Sequence, residues 1–129
     1  MVHGAPGDRD HYLLYLGELH ETASTLLAER GPGVCFFGHT HHPAVFSGSG
    51  FEPVVEGTMP LDPARRVMVN PGSVGQPRDG DPRGAFVVWD REAGTVTFVR
   101  VPYDVEAARQ DILTAGLPQI LGDRLLAGR

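Results

Sequence analysis

Residues 38–42 read Gly-His-Thr-His-His, three imidazoles within five positions, directly after the apolar run Val34-Cys35-Phe36-Phe37. Neutral imidazole is the commonest metal-binding side chain. His39 and His41 are two apart. In a regular strand that spacing puts both on one face; in a tight loop they could straddle two ions. Gly38, just before them, permits an unusual backbone conformation or a close approach. His3 follows Met1-Val2, which reads as the end of another strand. It would reach the same place if the two strands are neighbours, because open α/β sheets hold ligands at the carboxyl ends of their strands. His42 adjoins His41 but would point elsewhere, toward a supporting or substrate-facing role. A His-x-His pair alone is also a common solvated turn, so spacing leaves both readings open. His11 and His20 fall on or beside the polar side of a predicted helix.

That helix starts after Asp10, a suitable N-cap, and carries Tyr12, Leu16, Leu19, Ala23 and Leu26 as one apolar stripe. Gly31-Pro32-Gly33 stops it. The run Val34–Phe37 has no alternation, as expected of a strand buried on both faces, and its neighbours make Cys35 a buried, inert thiol. The pattern from Val45 to Val101 is β, with strands predicted at Val45–Phe46, Val54–Glu56, Arg66–Val69, Ala85–Trp89 and Thr95–Val101. Arg91-Glu92-Ala93-Gly94 suits a hairpin, and Asn70-Pro71-Gly72-Ser73 suits a type II turn. Gln76 to Gly84 is a loop in which Asp79, Asp81 and Arg83 are expected to be solvated. Trp89 is expected in the core. Asp104 caps a helix bearing Val105, Ala108, Ile112 and Ala115, Gly116 ends it, and Pro118 to Leu126 forms a last short helix.

The chain has 129 residues, enough for one small domain, with 41% hydrophobic residues and a net charge of -5. All 11 basic residues are arginine, and no basic footprint for a nucleic-acid polymer is present. The lone cysteine cannot close an internal disulfide. His3, Asp8, Arg9 and Asp10 interrupt any signal-peptide core, and no apolar run approaches the roughly 20 residues of a membrane span. A soluble, cytoplasmic protein without a membrane partner is expected. Met1-Val2-His3-Gly4 opens with fewer leading residues than a strand normally has.

Three longer stretches occur in order: "VHGAP" (Val2–Pro6), "FFGHTHHPAVF" (Phe36–Phe46) and "NPGSVGQPRDGDPRGAF" (Asn70–Phe86). Together they closely resemble the C-terminal half of calcineurin-like metallophosphoesterases, nearest to bacterial proteins grouped with diadenosine-tetraphosphatase-like or small phosphodiesterase enzymes. The likeness continues through "YDVEAARQDILTAGLP". It implies an α/β (α+β-like) layered sandwich, present here in part as mostly one mixed sheet with helices on its outer face. Residues 1–129 would be the C-terminal portion of a single domain whose N-terminal half is absent. It further implies a site for two divalent metal ions, manganese first, with iron, zinc or nickel chemically reasonable. His3 and His39 would match ligands of one ion and His41 a ligand of the other.

The family's Asp-x-His, Gly-Asp and Gly-Asn-His-Asp segments have no counterpart in this sequence. Hard divalent ions favour oxygen donors, and three neutral imidazoles supply neither an anion nor a bridge. The complete protein would hydrolyse a phosphodiester, a nucleotide or a phosphoprotein with a metal-bound hydroxide, whereas this chain alone is expected to be inactive or nearly so. No catalytic residue is assigned. Asn70, Arg78 and His42 are candidates to meet the phosphate ester. The rival reading is a non-catalytic assembly module, or one half of a split enzyme, that self-associates or docks through uncovered sheet.

Overall fold

Alternation governs where strands form. In Thr95–Val101 the side chains of Val96, Phe98 and Arg100 are buried while Thr95, Thr97 and Val99 are only half-buried. That is the period-two signature of a strand with one face on a core. The computed structural model describes residues 1, 3–4, 33–47, 50–62 and 64–129. The predicted first helix, with its Asp10 cap and its Tyr12, Leu16, Leu19, Ala23 and Leu26 stripe, lies outside them, as do His11 and His20. Among the described residues the elements are β1 (Gly33–Phe36), β2 (Ala44–Ser47), β3 (Gly50–Pro53), β4 (Gly57–Pro60), β5 (Arg66–Asn70), β6 (Gly84–Asp90), β7 (Thr95–Val101), α1 (Val105–Thr114) and α2 (Gln119–Leu126).

The strands divide between two sheets: a mixed four-stranded sheet ordered β1-β5-β2-β3 and a three-stranded sheet ordered β4-β7-β6. In the first, β1 runs parallel to β5 while β2 pairs antiparallel with both β5 and β3. The second is antiparallel throughout. Val45, Val67 and Val69 from one sheet meet Val96 and Phe98 from the other, with Leu61 between, and Val34, Phe36, Val54, Met59 and Val87 pack around them. Each fully buried aliphatic or aromatic side chain contributes roughly 1.5–3 kcal/mol, which makes this inter-sheet layer the main stabilising feature. The α/β layered sandwich expected from the resemblance forms, but with two sheets of four and three strands rather than mostly one mixed sheet.

Predicted and observed strands coincide closely for β2, β5, β6 and β7, and β1 ends one residue early, at Phe36. The strand predicted at Val54–Glu56 is a correction: those residues connect β3 to β4. Both flanking strands sit at sheet edges and end in Pro53 and Pro60. Proline is tolerated at an edge because no ladder donor is needed there, so residues that read as breakers end strands instead. Trp89 faces the sandwich but remains 38% exposed at its flank, against Phe36 (ring centroids 5.6 Å apart) and under the Arg91 guanidinium. Cys35 is half-buried rather than buried.

The C-terminal helices form as read. The Asp104 carboxylate accepts from the Ala107 N–H (2.9 Å). At the other end of α1, Gly116 N–H donates to Leu113 O and Leu117 N–H to Ile112 O, the paired bonds of a Schellman stop. Arg109 holds Asp123 of α2 at 2.8 Å. The Gly80 N–H donates to Gly128 O (3.0 Å), which ties the chain's last turn to the loop before β6. Among the described residues, no helix is long and apolar enough to cross a membrane.

One consequence of topology matters most for function. Because β1 and β5 are adjacent and parallel, their carboxyl ends open at the same edge of the sheet. The loop Gly38–His42 follows the first. Residues 71–73, which continue from β5 without the predicted type II turn, follow the second, so the two segments singled out in the sequence become neighbours.

Candidate functional site

Beyond Phe36 the ladder runs one residue further, through Phe37 N–H to Val69 O (3.0 Å). The chain then leaves the sheet, and Gly38 N–H donates to His3 O at 2.8 Å. That bond fastens the residue 3 segment against the histidine loop. His39 and His41 have φ of 70° and 62°. A side-chain-bearing residue in this left-handed region costs roughly 1–2 kcal/mol, and such strain gathers at functional sites. The strand-face alternative for the His-x-His pair is therefore excluded: the two imidazoles leave a loop that turns at each of them.

The turns bring the rings together. His3 Nε2 lies 2.8 Å from His39 Nδ1, with the rings edge to face and their centroids 4.7 Å apart. His41 donates its Nδ1–H to the Gln76 carbonyl oxygen at 2.7 Å. This bond assigns the tautomer, because a carbonyl can only accept, and a neutral ring then keeps its lone pair on Nε2. Exposed His42 donates from Nδ1 to Thr40 O (2.9 Å).

Asn70, expected to face substrate, is 1% exposed and spends its amide inside the loop pair. Its Nδ2 donates to Thr40 Oγ1 (2.7 Å) and, more weakly, to Gly38 O (3.4 Å), while its Oδ1 accepts from Gly72 N–H (2.9 Å). Thr40, the residue between the two strained histidines, is buried with it. Neither Thr40 nor Gln76 was legible as a site residue. Gln76 contributes a backbone oxygen, which leaves no mark on residue type.

Burial pushes the His41 pKa below its ordinary value of 6.5. The Gln76 carbonyl pulls the other way, and Arg78, His39 and His3 add to the lowering. A neutral imidazole is the form that binds metal. Arg78 is held close by two bonds: its N–H donates to His41 O (3.4 Å) and its Nη2 to Gln76 Oε1 (2.9 Å).

The rest of this loop departs from expectation, because Asp79, Asp81 and Arg83 are ion-paired. Asp79 meets the buried Arg100 of β7. Arg83 grips Asp81, Nη2 to Oδ2 2.6 Å, and holds the Asp81 carboxyl down at about 2. The native carboxylate thus takes up its proton less readily than the unfolded chain does. The pair stabilises above about pH 4, and its contribution disappears as pH falls through about 2. Both side chains are partly exposed, so solvent screens the pair and the expected effect is small. Urea unfolding of wild type and Asp81→Asn should show that gap near neutral pH and its closure in acid; a gap independent of pH would contradict this account.

Two imidazole nitrogens on one ion, at bonds of about 2.1 Å and near right angles, lie roughly 3 Å apart, so the His3–His39 pair fits a shared cation. His41 fits as a ligand through Nε2, with the Gln76 carbonyl orienting the ring from behind. Among the described residues, no three His, Cys, Asp or Glu side chains gather closely enough to hold an ion by themselves. Such a donor set would supply only nitrogen ligands to a cation, without carboxylates.

The family model for the calcineurin-like phosphoesterase superfamily domain matches residues 1–94. The uncharacterized protein MJ0912 of Methanocaldococcus jannaschii is 42% identical over 94 residues, covering 73% of this chain and 39% of that protein. The crystal structure of a metallophosphoesterase from Sphaerobacter thermophilus superposes with a TM-score of 0.86 at 34% identity, over 99% of this chain and 54% of that one. The hypothetical protein PH1004 from Pyrococcus horikoshii shares the fold, with a TM-score of 0.66 at 18% identity, over 99% of this chain and 45% of that one. The chain therefore spans between about two-fifths and about half the length of these relatives. By the family match, the relatives and the fold alike, the chain belongs to the calcineurin-like phosphoesterase superfamily.

Proposed function

We propose that this chain supplies the histidine side of a divalent-metal phosphoesterase centre. His3 and His39 hold one cation and His41 holds a second, with carboxylate ligands from outside the described residues. The observation that carries the reading is the convergence of His3 on His39 at 2.8 Å, beside His41, at the carboxyl ends of two parallel strands. When bound, such cations polarise phosphoryl oxygens and lower the pKa of water.

The chain's own groups do the rest. The Gln76 carbonyl fixes the His41 tautomer. Asn70 and Thr40 brace the strained loop, which makes Asn70 a positioning residue rather than a substrate contact. Arg78, steadied on Gln76, is the group we expect to meet phosphoryl oxygens, since a guanidinium pairs well with them. Exposed His42 lies at the rim. The substrate is a phosphate ester, with phosphodiesters first in our expectation, manganese the first metal and the cytoplasm the compartment.

Calorimetric titration of the chain with Zn²⁺ and with Mn²⁺ tests the site. Weak binding is expected in wild type, reduced ~10-fold or more in His39→Ala, since even the loss of an outer partner of a ligand costs 10–100-fold. Affinity unchanged in a folded His39→Ala protein would end the proposal. The chain alone should turn over a chromogenic phosphodiester little or not at all with manganese; robust turnover that His39→Ala removes would show that its ligand set is already complete.

A further inference from the structure

The Arg100 guanidinium is the least expected group in the sandwich. Its side chain is 1% exposed, on the inward face of β7 beside Phe98 and Val96. An aliphatic side chain at such a position would commonly stabilise as well or better, because taking a charge out of water is costly. The guanidinium instead gathers loops. It binds both Asp79 oxygens, with Nη1 to Oδ1 at 3.4 Å and Nη2 on Oδ2, while Nε donates to Val55 O (3.2 Å) and Nη1 to Arg83 O (3.4 Å). Asp81 Oδ2 stands 3.9 Å from Nε.

Asp79 is three residues from Gln76. Between them Pro77 is fully buried and Arg78 N–H returns to His41 O. On the other side, Gln76 N–H donates to Ser73 Oγ (2.9 Å). The segment that presents the Gln76 carbonyl is therefore pinned at Ser73 by a hydroxyl and at Asp79 by a buried fork, with little slack between.

We propose that Arg100 and Asp79 are a positioning pair, which holds the Gln76 carbonyl under His41 and so keeps the lone pair of that ring on Nε2, toward a cation. The inference rests on the reading of His41 as a ligand. It assigns the orientation of that ligand to a contact made inside the other sheet.

The test uses the full chain. Long-range ¹H–¹⁵N spectra of the imidazoles report which nitrogen carries the proton, and they need no metal. Wild-type His41 should show one tautomer, protonated at Nδ1. Asp79→Asn should show a mixture of tautomers and bind Zn²⁺ about 10-fold more weakly, the order seen when a ligand loses its outer partner. Asp79→Glu, which keeps the charge, should recover both. If Asp79→Asn does not fold by circular dichroism, Arg100→Lys takes its place, since it keeps the cation and loses the fork. A folded variant with the wild-type tautomer and affinity overturns the inference. Absence of Zn²⁺ binding in wild type would overturn the proposed function alone, and the tautomer spectra would still decide the role of the pair.

Discussion

Asn70→Ala should destabilise the protein by about 3 kcal/mol, because a truncated buried amide leaves its former partners unpaired at roughly 1–3 kcal/mol each. The partners are Thr40 Oγ1, Gly72 N–H and, at longer range, Gly38 O. For a chain of this length the loss corresponds to a fall in Tm on the order of 10 °C, measurable by calorimetry. A second effect should accompany it. Asn70 clamps the residue between His39 and His41, both held at positive φ. Without the clamp the loop can relax out of that strain, and cation affinity should fall with stability. Unchanged stability in the alanine variant would show that water satisfies these groups and that the bridge is not a brace.

Gly72→Ala should cost still more, about 2–5 kcal/mol, because two penalties add at one atom. Gly72 has φ of +83°, in the left-handed region that favours glycine, although residues 71–73 do not close the predicted type II turn. Alanine pays for that region alone. Its methyl group would also stand 2.7 Å from Pro43 Cγ and 2.9 Å from the Ala85 side chain, neither of which can swing aside. Gly94 separates the two terms. It lies at φ +64° with nothing within 4 Å of an added methyl, so Gly94→Ala should show only the conformational part, about 1 kcal/mol. Equal losses at the two positions in denaturant unfolding would mean that the tight packing around Gly72 is not felt.

Gly72 is squeezed between Pro43, which follows the histidine loop, and Ala85 of the second sheet, whose N–H donates to Ser73 O at 2.8 Å. The segment after β5 thus touches the histidine loop on one side and the opposite sheet on the other. Strain in it would be transmitted to both.

Much of the molecule could be read from residue types. The apolar runs of β1 and β5, the alternation of β7 and the Asp104 cap all act over a few residues. Local backbone preference and side-chain period suffice for them. The histidines His3, His39 and His41 were legible as donors for the same reason: imidazole chemistry belongs to the side chain. What tertiary structure alone decided was orientation. Parallel pairing of β1 with β5 brings their two ends to one edge, although the key residues there, Thr40 and Asn70, lie 30 positions apart. The tautomer of His41 depends on a backbone oxygen 35 residues away, and every residue has such an oxygen. Asp79 read as a solvated loop acid because its partner, Arg100, is 21 residues away and reaches it only once β6 and β7 have paired. Sequence carries the chemistry of a group wherever that group stands, but the direction in which it points is set by contacts between distant segments, which exist only in the packed chain.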